Sequence, residues 1–321
     1  MNKEDKIFVA GHRGMVGSAI LRRLKSKGYN NVMTQTRGEL NLLDQEGVYR
    51  YLWSCQPDIV IDAAAKVGGI HANNVYRADF IYENLQIQNN LINSSYELGV
   101  KKLLFLGSVC IYPKFTDQPI REEYLLRSPL EPTNEPYAIA KIAGIKMCES
   151  YYKQYEKDFF SVMPANLYGE NDNFHPENSH VLPALIRRFH EAKESGAPSV
   201  EVWGTGEAMR EFMHVDDLAD ACVYALENVS AKDIYSQGIS QLNIGTGEEI
   251  SIKNLSHLIA KTVGYEGEIT FDLSKPDGTL KRVLDNQRIN KLGWKHKISL
   301  EDGLVSTYNW YKDNINKIRS V

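Results

Sequence analysis

The most chemically informative spacing in the sequence is a tyrosine followed four residues later by a lysine. Tyr137 and Lys141 follow Pro136, which suits the first turn of a helix because its missing N–H costs nothing there. Residues four apart share one face of a helix, and a fixed cation lowers a tyrosine pKa from its usual ~10. The pair therefore predicts a proton donor or acceptor usable near neutral pH, although an isolated pair is more often part of an ordinary helix.

Two further reactive side chains follow an apolar segment, 101–107, that predicts a buried strand. Ser108 and Cys110 leave this strand at its carboxyl end. If the backbone stays extended, side chains two apart share a face, so both would point into one crevice. The serine could hydrogen-bond a substrate oxygen, and the thiol could move a proton if its neighbours lower its pKa. The simpler interpretation of Cys110 is a small buried apolar residue.

A glycine-rich turn near the start of the chain predicts a dinucleotide site. The apolar segment 7–10 fits a buried parallel strand, Gly11, Gly14 and Gly17 follow, and 18–24 has helical periodicity. Glycines allow close approach to a pyrophosphate, and a helix N terminus supplies N–H groups and a positive dipole. The spacing is not the commoner Gly-x-Gly-x-x-Gly, so the strand–turn–helix context carries the prediction.

The second predicted strand, 31–36, favours NADP over NAD. An NAD enzyme usually offers an acid at this strand end for the ribose 2′-hydroxyl, but here Thr36 is followed by Arg37. Arg13, in the glycine loop, is a second cation within reach, and two guanidinium groups suit a 2′-phosphate. Glu39 lies close by and weakens the argument.

The elements that must position these groups belong to an α/β protein. The chain has 321 residues, so one large unit and a smaller region are expected. Predicted strands at 57–61 and 101–107 alternate with helices at 44–55 and 84–99, which indicates a parallel sheet of Rossmann type. Such doubly wound sheets bind ligands at the carboxyl ends of their strands.

Composition excludes several classes of protein. Lys and Arg number 37 against 41 Asp and Glu, a net charge of −4 without a basic stripe, which argues against a nucleic-acid partner. No apolar run approaches the roughly 18 residues of a membrane span, and the first residues lack a signal-peptide core. The four cysteines lie far apart, which predicts free thiols, a cytoplasmic location and no zinc site.

Together, the glycine loop, Ser108 and the tyrosine–lysine pair resemble the extended short-chain dehydrogenase/reductase family. The segments 63–70, 130–137, 166–169, 172–176, 203–206 and 209–217 resemble its NADPH-dependent GDP-sugar epimerase-reductases, and the likeness covers essentially the whole chain. The resemblance implies epimerisation of GDP-4-keto-6-deoxy-D-mannose at C3 and C5, followed by reduction at C4 to GDP-L-fucose. It also implies a homodimer, formed by pairing of the helices 80–99 and 137–155 across a two-fold axis.

The resemblance implies two domains and a set of catalytic residues. An NADP-binding Rossmann domain is expected over 1–169 and 214–247, and a smaller mixed α/β GDP-sugar-binding domain over 170–213 and 248–321. Ser108, Tyr137 and Lys141 match the reductase triad, and Cys110 and His180 match the pair that moves protons at C3 and C5. Without the resemblance, His180 would be interpreted as an ordinary residue at a helix start. The epimerisation and reduction that the resemblance implies need no metal ion.

The resemblance further implies two sets of binding residues. Those expected to contact NADP are Gly11, His12, Arg13, Gly14, Met15, Val16, Gly17, Arg37, Leu42, Leu106, Gly107, Lys141, Pro164, Asn166, Leu167 and His180. Those expected to contact the GDP-sugar are Arg188, Trp203, Arg210 and Asp277. Arginines match a diphosphate in fork geometry, and an indole can cover a sugar or base.

Three other functions remain open at this point. A sister reductase acting on a 3,6-dideoxy GDP-sugar, of the GDP-L-colitose type, would epimerise only C5 and use the same proton-moving pair. A nucleotide-sugar 4-epimerase with tightly bound NAD is disfavoured by Thr36 and Arg37. A non-catalytic dinucleotide sensor of the same fold would be expected to lack the serine, tyrosine or lysine, and all three are present.

Overall fold

The computed structural model describes residues 1–176, 179–275, 277 and 279–317, apart from the side chains of residues 70 and 71. The end of the predicted loop 170–178 and the last four residues of the predicted second domain therefore lie outside the described residues. No helix in the described part of the chain is long and apolar enough to cross a membrane.

The described residues form thirteen strands, eleven α-helices and three short 3₁₀ helices. The strands are β1 Ile7–Ala10, β2 Val32–Met33, β3 Ile59–Asp62, β4 Lys102–Leu106, β5 Asp158–Pro164, β6 Asn166–Tyr168, β7 Ser199–Trp203, β8 Met209–Arg210, β9 Phe212–His214, β10 Leu242–Ile244, β11 Ile250–Ser251, β12 Glu268–Asp272 and β13 Lys281–Arg282. The helices are α1 Met15–Ser26, α2 Gln45–Cys55, α3 Ile70–Val75, α4 Arg77–Glu97, α5 Glu135–Tyr155, α6 Val181–Ser195, α7 Val215–Asn228, α8 Ala231–Tyr235, α9 Ile252–Val263, α10 Gln287–Lys291 and α11 Leu300–Asn314.

Six parallel strands form the central sheet, in the order β10-β5-β4-β3-β1-β2. The strand order reverses between β1 and β3, which is the point where doubly wound sheets bind ligands. Strand β1 is apolar along its length, and β3 is apolar up to Asp62, because helices cover both faces of the sheet. Helices α1 and α7 pack together, and α4 lies beside α5. The predicted Rossmann-type α/β fold is confirmed.

Some predicted boundaries were wrong. The second strand ends at Met33, so Arg37 lies in the following turn and not at a strand end. The helix predicted from residue 84 begins at Arg77. Its start was missed because buried polar residues blur the apolar periodicity: Asn84 bonds the backbone of Phe80, and Gln88 donates to the Ala140 carbonyl at 2.7 Å.

Two hydrophobic cores are present. The first surrounds the six-stranded sheet, and the second lies among α6, α9, α11 and β7. Short strands join the chain between them: β8 pairs with both β11 and β13, and β6 pairs with β9. The predicted residue limits of the two domains stay a prediction.

The buried carboxylate of Glu211 ties the crossing segments together. It accepts hydrogen bonds from the backbone N–H groups of Gly247 and Leu284, both at 2.7 Å. Burial raises the pKa of this carboxyl, while the bonds from the backbone oppose that rise. A buried carboxylate is tolerated only when hydrogen bonds replace its water, so these bonds fix how the segments at residues 211, 247 and 284 meet.

Replacing Glu211 with Gln should weaken this junction. The amide oxygen can accept one hydrogen bond, but its NH2 group would face the other N–H, so we expect a loss of roughly 1–3 kcal/mol in unfolding free energy. Urea unfolding followed by circular dichroism measures it. Glu207→Gln, at an exposed site nearby, is the matched control and should cost under about 0.5 kcal/mol. Equal values for the two variants would contradict this account.

Candidate active site

Lys141 is the best-anchored functional side chain. It is 3% exposed, and its ammonium donates to the Leu106 carbonyl at the end of β4 over 2.8 Å. Helix α5 can come this close because a Cβ at Gly144 would collide with the Phe105 ring. The ammonium also lies 4.6 Å from the centroid of Phe105 and 6.0 Å from that of Tyr137. The predicted shared face of the tyrosine and lysine is confirmed.

The predicted pKa of Tyr137 was wrong in direction. Burial raises the pKa of its phenol, the neighbouring Cys110 and Asp62 add to the rise, and a hydrogen bond with Ser108 only partly offsets it. The Lys141 ammonium is hydrogen-bonded to the Leu106 carbonyl and is not among the groups that shift the Tyr137 pKa. Tyr137 is therefore a protonated phenol at neutral pH, poised as a donor.

The segment that carries Cys110 is a single 3₁₀ turn, Val109–Ile111, and not the extended chain that was predicted. The turn forms after Ser108, whose hydroxyl accepts a long 3.5 Å bond from the Cys110 N–H. The two side chains nevertheless lie in one place: burial raises the pKa of both the Cys110 thiol and the Tyr137 phenol, and the neighbouring Ser108 side chain opposes that rise in each. The grouping was predicted correctly from an incorrect backbone geometry.

Burial also governs the Cys110 thiol. It raises the thiol pKa, and the Ser108 hydrogen bond and the charges of Arg282 and Lys141 act in the opposite direction. A small buried apolar residue would not be expected to sit among a serine, a tyrosine and two cations. The thiol therefore lies beside polar and charged groups as well as being buried, and its role in moving protons stays a prediction.

His180 precedes helix α6 at the predicted helix start. Its side chain does not cap the helix and is accessible to solvent, yet the surrounding protein desolvates it and lowers its imidazole pKa. Within the described part of the chain, the imidazole makes no hydrogen bond to Cys110 or Tyr137. The structure therefore does not by itself join His180 to the Ser108–Tyr137 group.

The glycine turn fits a pyrophosphate. Gly11 has φ +79°, and a Cβ there would meet the Ala63 carbonyl oxygen at 2.6 Å. A Cβ at Gly17 would collide with the backbone of Gly11, which holds helix α1 against the turn. Gly14 precedes α1 without any side-chain cap, so the first N–H groups of a twelve-residue helix are open to an anion.

The two cations predicted to bind the 2′-phosphate, Arg13 and Arg37, lie in the turns that follow β1 and β2. The Arg37 side chain is 79% exposed, and its guanidinium is 3.9 Å from the Glu83 carboxylate. Glu39, which weakened the NADP argument, is engaged by its own turn: it accepts a bond from the Thr36 N–H at 2.8 Å, which lowers its pKa. The charge of Arg13 acts on both Glu39 and His12.

The other predicted cofactor contacts lie along the carboxyl edge of the sheet. Leu106 ends β4 and Gly107 follows it, Pro164 ends β5, and Asn166 and Leu167 begin β6. The Asn166 amide donates to the Glu211 carbonyl at 2.9 Å. Leu42 lies after β2 and accepts a bond from Asn90 at 2.8 Å.

The predicted GDP-sugar residues fall in two neighbouring groups. The Arg188 guanidinium lies 5.5 Å from the Trp203 ring centroid, and the indole is 58% exposed. Asp277 accepts bonds from the Thr205 N–H at 2.6 Å and from its hydroxyl at 2.9 Å, and its charge acts on Arg210. The second group is therefore a turn stabilised by Asp277 beside a half-buried arginine.

Two residues of this region were missed by the sequence analysis. Arg282 donates to the carbonyls of Val109 at 3.0 Å and Pro113 at 3.2 Å. Asp62 ends β3 fully buried, and burial raises its pKa to about 6 while the charge of Lys141 opposes the rise. An acid ending an apolar strand was a visible signal for Asp62; Arg282 had none, because its contacts are distant in sequence.

No group of three or more His, Cys, Asp or Glu side chains that could hold a metal ion occurs among the described residues. The described cysteines are all free thiols.

Relatives of known name match almost the whole chain. A putative GDP-L-fucose synthase 2 of Arabidopsis thaliana is 58% identical over 315 residues, which cover 98% of this chain and 94% of that protein. GDP-L-fucose synthase of Escherichia coli (strain K12) is 55% identical over 320 residues, 98% and 99% of the two chains. GDP-L-colitose synthase of Yersinia pseudotuberculosis is 39% identical over 313 residues, 97% and 99% of the two chains.

Solved structures agree with the fold. A GDP-6-OMe-4-keto-L-xylo-heptose reductase from Campylobacter jejuni has a TM-score of 0.91 at 41% identity, covering 98% of this chain and 99% of that one. A GDP-L-fucose synthetase from Naegleria fowleri bound to NADP has a TM-score of 0.89 at 26% identity, covering 100% and 98%.

The sequence model of one protein family matches the part of the chain that forms the central sheet and the ends of its strands. It matches residues 7–245, which include the glycine turn, the Ser108 turn and the tyrosine–lysine helix. The resemblance predicted from those motifs is confirmed: the chain belongs to the NAD dependent epimerase/dehydratase family.

Proposed function

We propose that this protein epimerises GDP-4-keto-6-deoxy-D-mannose at C3 and C5 and reduces C4 with NADPH, giving GDP-L-fucose. The observation that carries the proposal is the Cys110 thiol beside the Ser108 and Tyr137 side chains. A reductase alone needs one proton donor, and the thiol adds a second proton-moving group. The two GDP-L-fucose synthases at 58% and 55% identity support the choice of sugar.

Epimerisation is assigned to Cys110 and His180. A 4-keto group acidifies the hydrogens on both adjacent carbons, so a base can remove one proton to give an enolate, and an acid can return a proton to the opposite face. We assign Cys110 as the base and His180 as the acid. Both groups are neutral in the resting protein: burial raises the thiol pKa, and local desolvation lowers the pKa of the solvent-accessible imidazole. The roles therefore require their protons to redistribute when the substrate binds.

Reduction is assigned to Ser108, Tyr137 and Lys141. The raised pKa of Tyr137 keeps its proton in place for donation to the C4 oxygen. The Ser108 hydroxyl, which neighbours the phenol, is assigned to polarise the same oxygen. NADPH supplies the hydride. Lys141 holds α5 against the end of β4, which fixes the height of the phenol above the sheet edge.

The residues present fit NADP. The uncapped N terminus of α1 offers N–H groups to the pyrophosphate, and the glycines leave no side chain in the way. The exposed Arg37 supplies a guanidinium for a 2′-phosphate, and Arg13, whose charge acts on Glu39 two residues after Arg37, supplies a second. The NADP-bound synthetase from Naegleria fowleri supports the same cofactor.

The GDP-sugar is assigned to the face formed by α6, β7 and β8. Arg188 and Arg210 suit the diphosphate, Trp203 offers an exposed aromatic surface to the base or sugar, and Asp277 orders the turn at the nucleotide end. Lys275, 5.4 Å from the Trp203 ring centroid, adds a third cation to this face.

We also propose an isologous homodimer through α4 and α5. Tyr82 on α4 is 63% exposed and Ile139 on α5 is 42% exposed, and apolar side chains at such positions suit burial against the same helices of a second copy.

We propose a cytoplasmic location as well, because the free cysteines suit a reducing compartment.

The alternatives are weaker. The colitose synthase is 39% identical, well below the fucose synthases, so a C5-only enzyme on a 3,6-dideoxy sugar is not favoured. A dinucleotide sensor would not need a thiol, a serine and a tyrosine grouped in one place. The exposed Arg37 continues to argue against a 4-epimerase with tightly bound NAD.

The direct test is product identification. The purified protein is incubated with NADPH and GDP-4-keto-6-deoxymannose, and the product is assigned by NMR. We expect GDP-L-fucose. A parallel incubation with the 3,6-dideoxy ketone should turn over poorly. A reduced product that is not inverted at both C3 and C5, or a preference for the dideoxy ketone, would overturn the proposed function.

Cys110→Ser should separate the two halves of the reaction. We expect GDP-L-fucose formation to fall roughly 10²- to 10⁴-fold, since a positioned proton-transfer group contributes about that much, while NADPH is still oxidised to give sugars not fully inverted. NADPH absorbance and product NMR measure this. Cys55→Ser, at a half-buried thiol outside the site, is the control. Full epimerase activity in Cys110→Ser would refute the assignment.

Arg37→Glu should shift cofactor preference from NADPH toward NADH. Loss of a charge-assisted bond to the 2′-phosphate should lower kcat/KM for NADPH by about tenfold to a hundredfold. Arg50→Glu, on α2 and paired with Glu46, makes the same charge change away from the cleft. An unchanged NADPH-to-NADH ratio in Arg37→Glu would contradict the assignment.

A further inference from the structure

Arg282 reaches from β13 to the turn that carries Cys110. Its guanidinium donates to the Val109 carbonyl at 3.0 Å and to the Pro113 carbonyl at 3.2 Å, with a longer 3.5 Å contact to the Tyr112 carbonyl. These acceptors lie on both sides of Cys110 in sequence. One side chain therefore brackets the whole turn.

The position of Arg282 is itself fixed. Strand β13 pairs with β8, with Arg282 opposite Arg210, and the Met209 N–H donates to the Leu280 carbonyl at 2.7 Å. Glu211 holds the other side of the same segment through the Leu284 N–H. The planar fork of arginine can serve two carbonyls at once, which a lysine ammonium cannot do in the same plane.

The charged and titratable groups around the thiol come from three elements. Ser108 shares its turn, Tyr137 and Lys141 face it from α5, and Arg282 faces it from β13. Around Arg282 itself lie Glu131, whose charge favours the guanidinium, and Arg210, which opposes it. Arg282 and Lys141 are thus the cations that favour the thiolate.

We propose that Arg282 is a positioning residue for epimerisation: it holds the Cys110 turn in place from the other side of the cleft and stabilises the thiolate that removes the sugar protons. The proposal rests on the proposed function for the identity of the reaction. The Arg282 contacts themselves exist before any substrate binds, so they can be tested without turnover.

The first test measures the thiol directly. Full-length wild type, Arg282→Gln, Arg282→Lys and Lys281→Gln are alkylated with iodoacetamide from pH 6.5 to 10, and the Cys110 peptide is followed by mass spectrometry. In Arg282→Gln we expect roughly three- to tenfold slower alkylation at pH 8 and a midpoint at higher pH, because the thiolate fraction falls. Arg282→Lys keeps the charge and should stay near wild type.

The matched control, Lys281→Gln, removes a positive charge from the residue next to Arg282. Lys281 pairs with Glu249 and lies on the same short strand, so Lys281→Gln should leave alkylation unchanged. Thermal unfolding of each variant checks that it is folded. If Arg282→Gln does not fold, kcat for GDP-L-fucose formation in Arg282→Lys tests the positioning claim instead. An Arg282→Gln profile identical to wild type would overturn the proposal.

The second test separates positioning from substrate binding. We expect Arg282→Gln to lower kcat for GDP-L-fucose formation at least tenfold, and Arg282→Lys to lower it less. A rise in KM with kcat and alkylation unchanged would make Arg282 a substrate ligand only and overturn the proposal. If the wild type fails to form GDP-L-fucose, the proposed function is wrong. The alkylation result would still test whether Arg282 stabilises the Cys110 thiolate.

Discussion

The site depends on one buried cation held at the end of a strand. A lysine ammonium removed from water is tolerated only when hydrogen bonds and nearby negative charge replace hydration. For Lys141 the Leu106 carbonyl supplies the bond and Asp62 supplies the charge. The contact is possible because Gly144 lets α5 approach the Phe105 ring. Helix α5 is thereby locked over β4, and the phenol one turn earlier is placed beside the Ser108 turn.

The rest of the chemistry lies where two hydrophobic cores meet. The tyrosine, serine and cysteine come from the elements around the six-stranded sheet, while Arg210 and Arg282 come from the short strands next to the second core. The Glu211 carboxylate holds the segments between the two cores together by accepting hydrogen bonds from two backbone N–H groups. The Ser108–Tyr137–Lys141 group is built on the sheet elements alone, whereas the Cys110 turn is also held by Arg282 from β13.

How far the sequence predicts this site follows from the range of each interaction. The tyrosine–lysine face and the glycine turn depend on residues a few positions apart, and both were predicted correctly. The 3₁₀ turn at Val109–Ile111 and the direction of the Tyr137 pKa depend on burial, which local spacing does not report, and both predictions were wrong. Arg282 lies about 170 residues from its partners, so only the folded chain reveals it.

The central claim is that one site first moves protons at two carbons and then delivers hydride to the carbon between them. Incubation with NADPH and GDP-4-keto-6-deoxymannose in deuterated water, analysed by mass spectrometry and NMR, tests it most directly. The account predicts solvent deuterium at both C3 and C5 of GDP-L-fucose, with the C4 hydrogen coming from NADPH. Deuterium at C5 alone, or a reduced sugar without deuterium at either carbon, would contradict it.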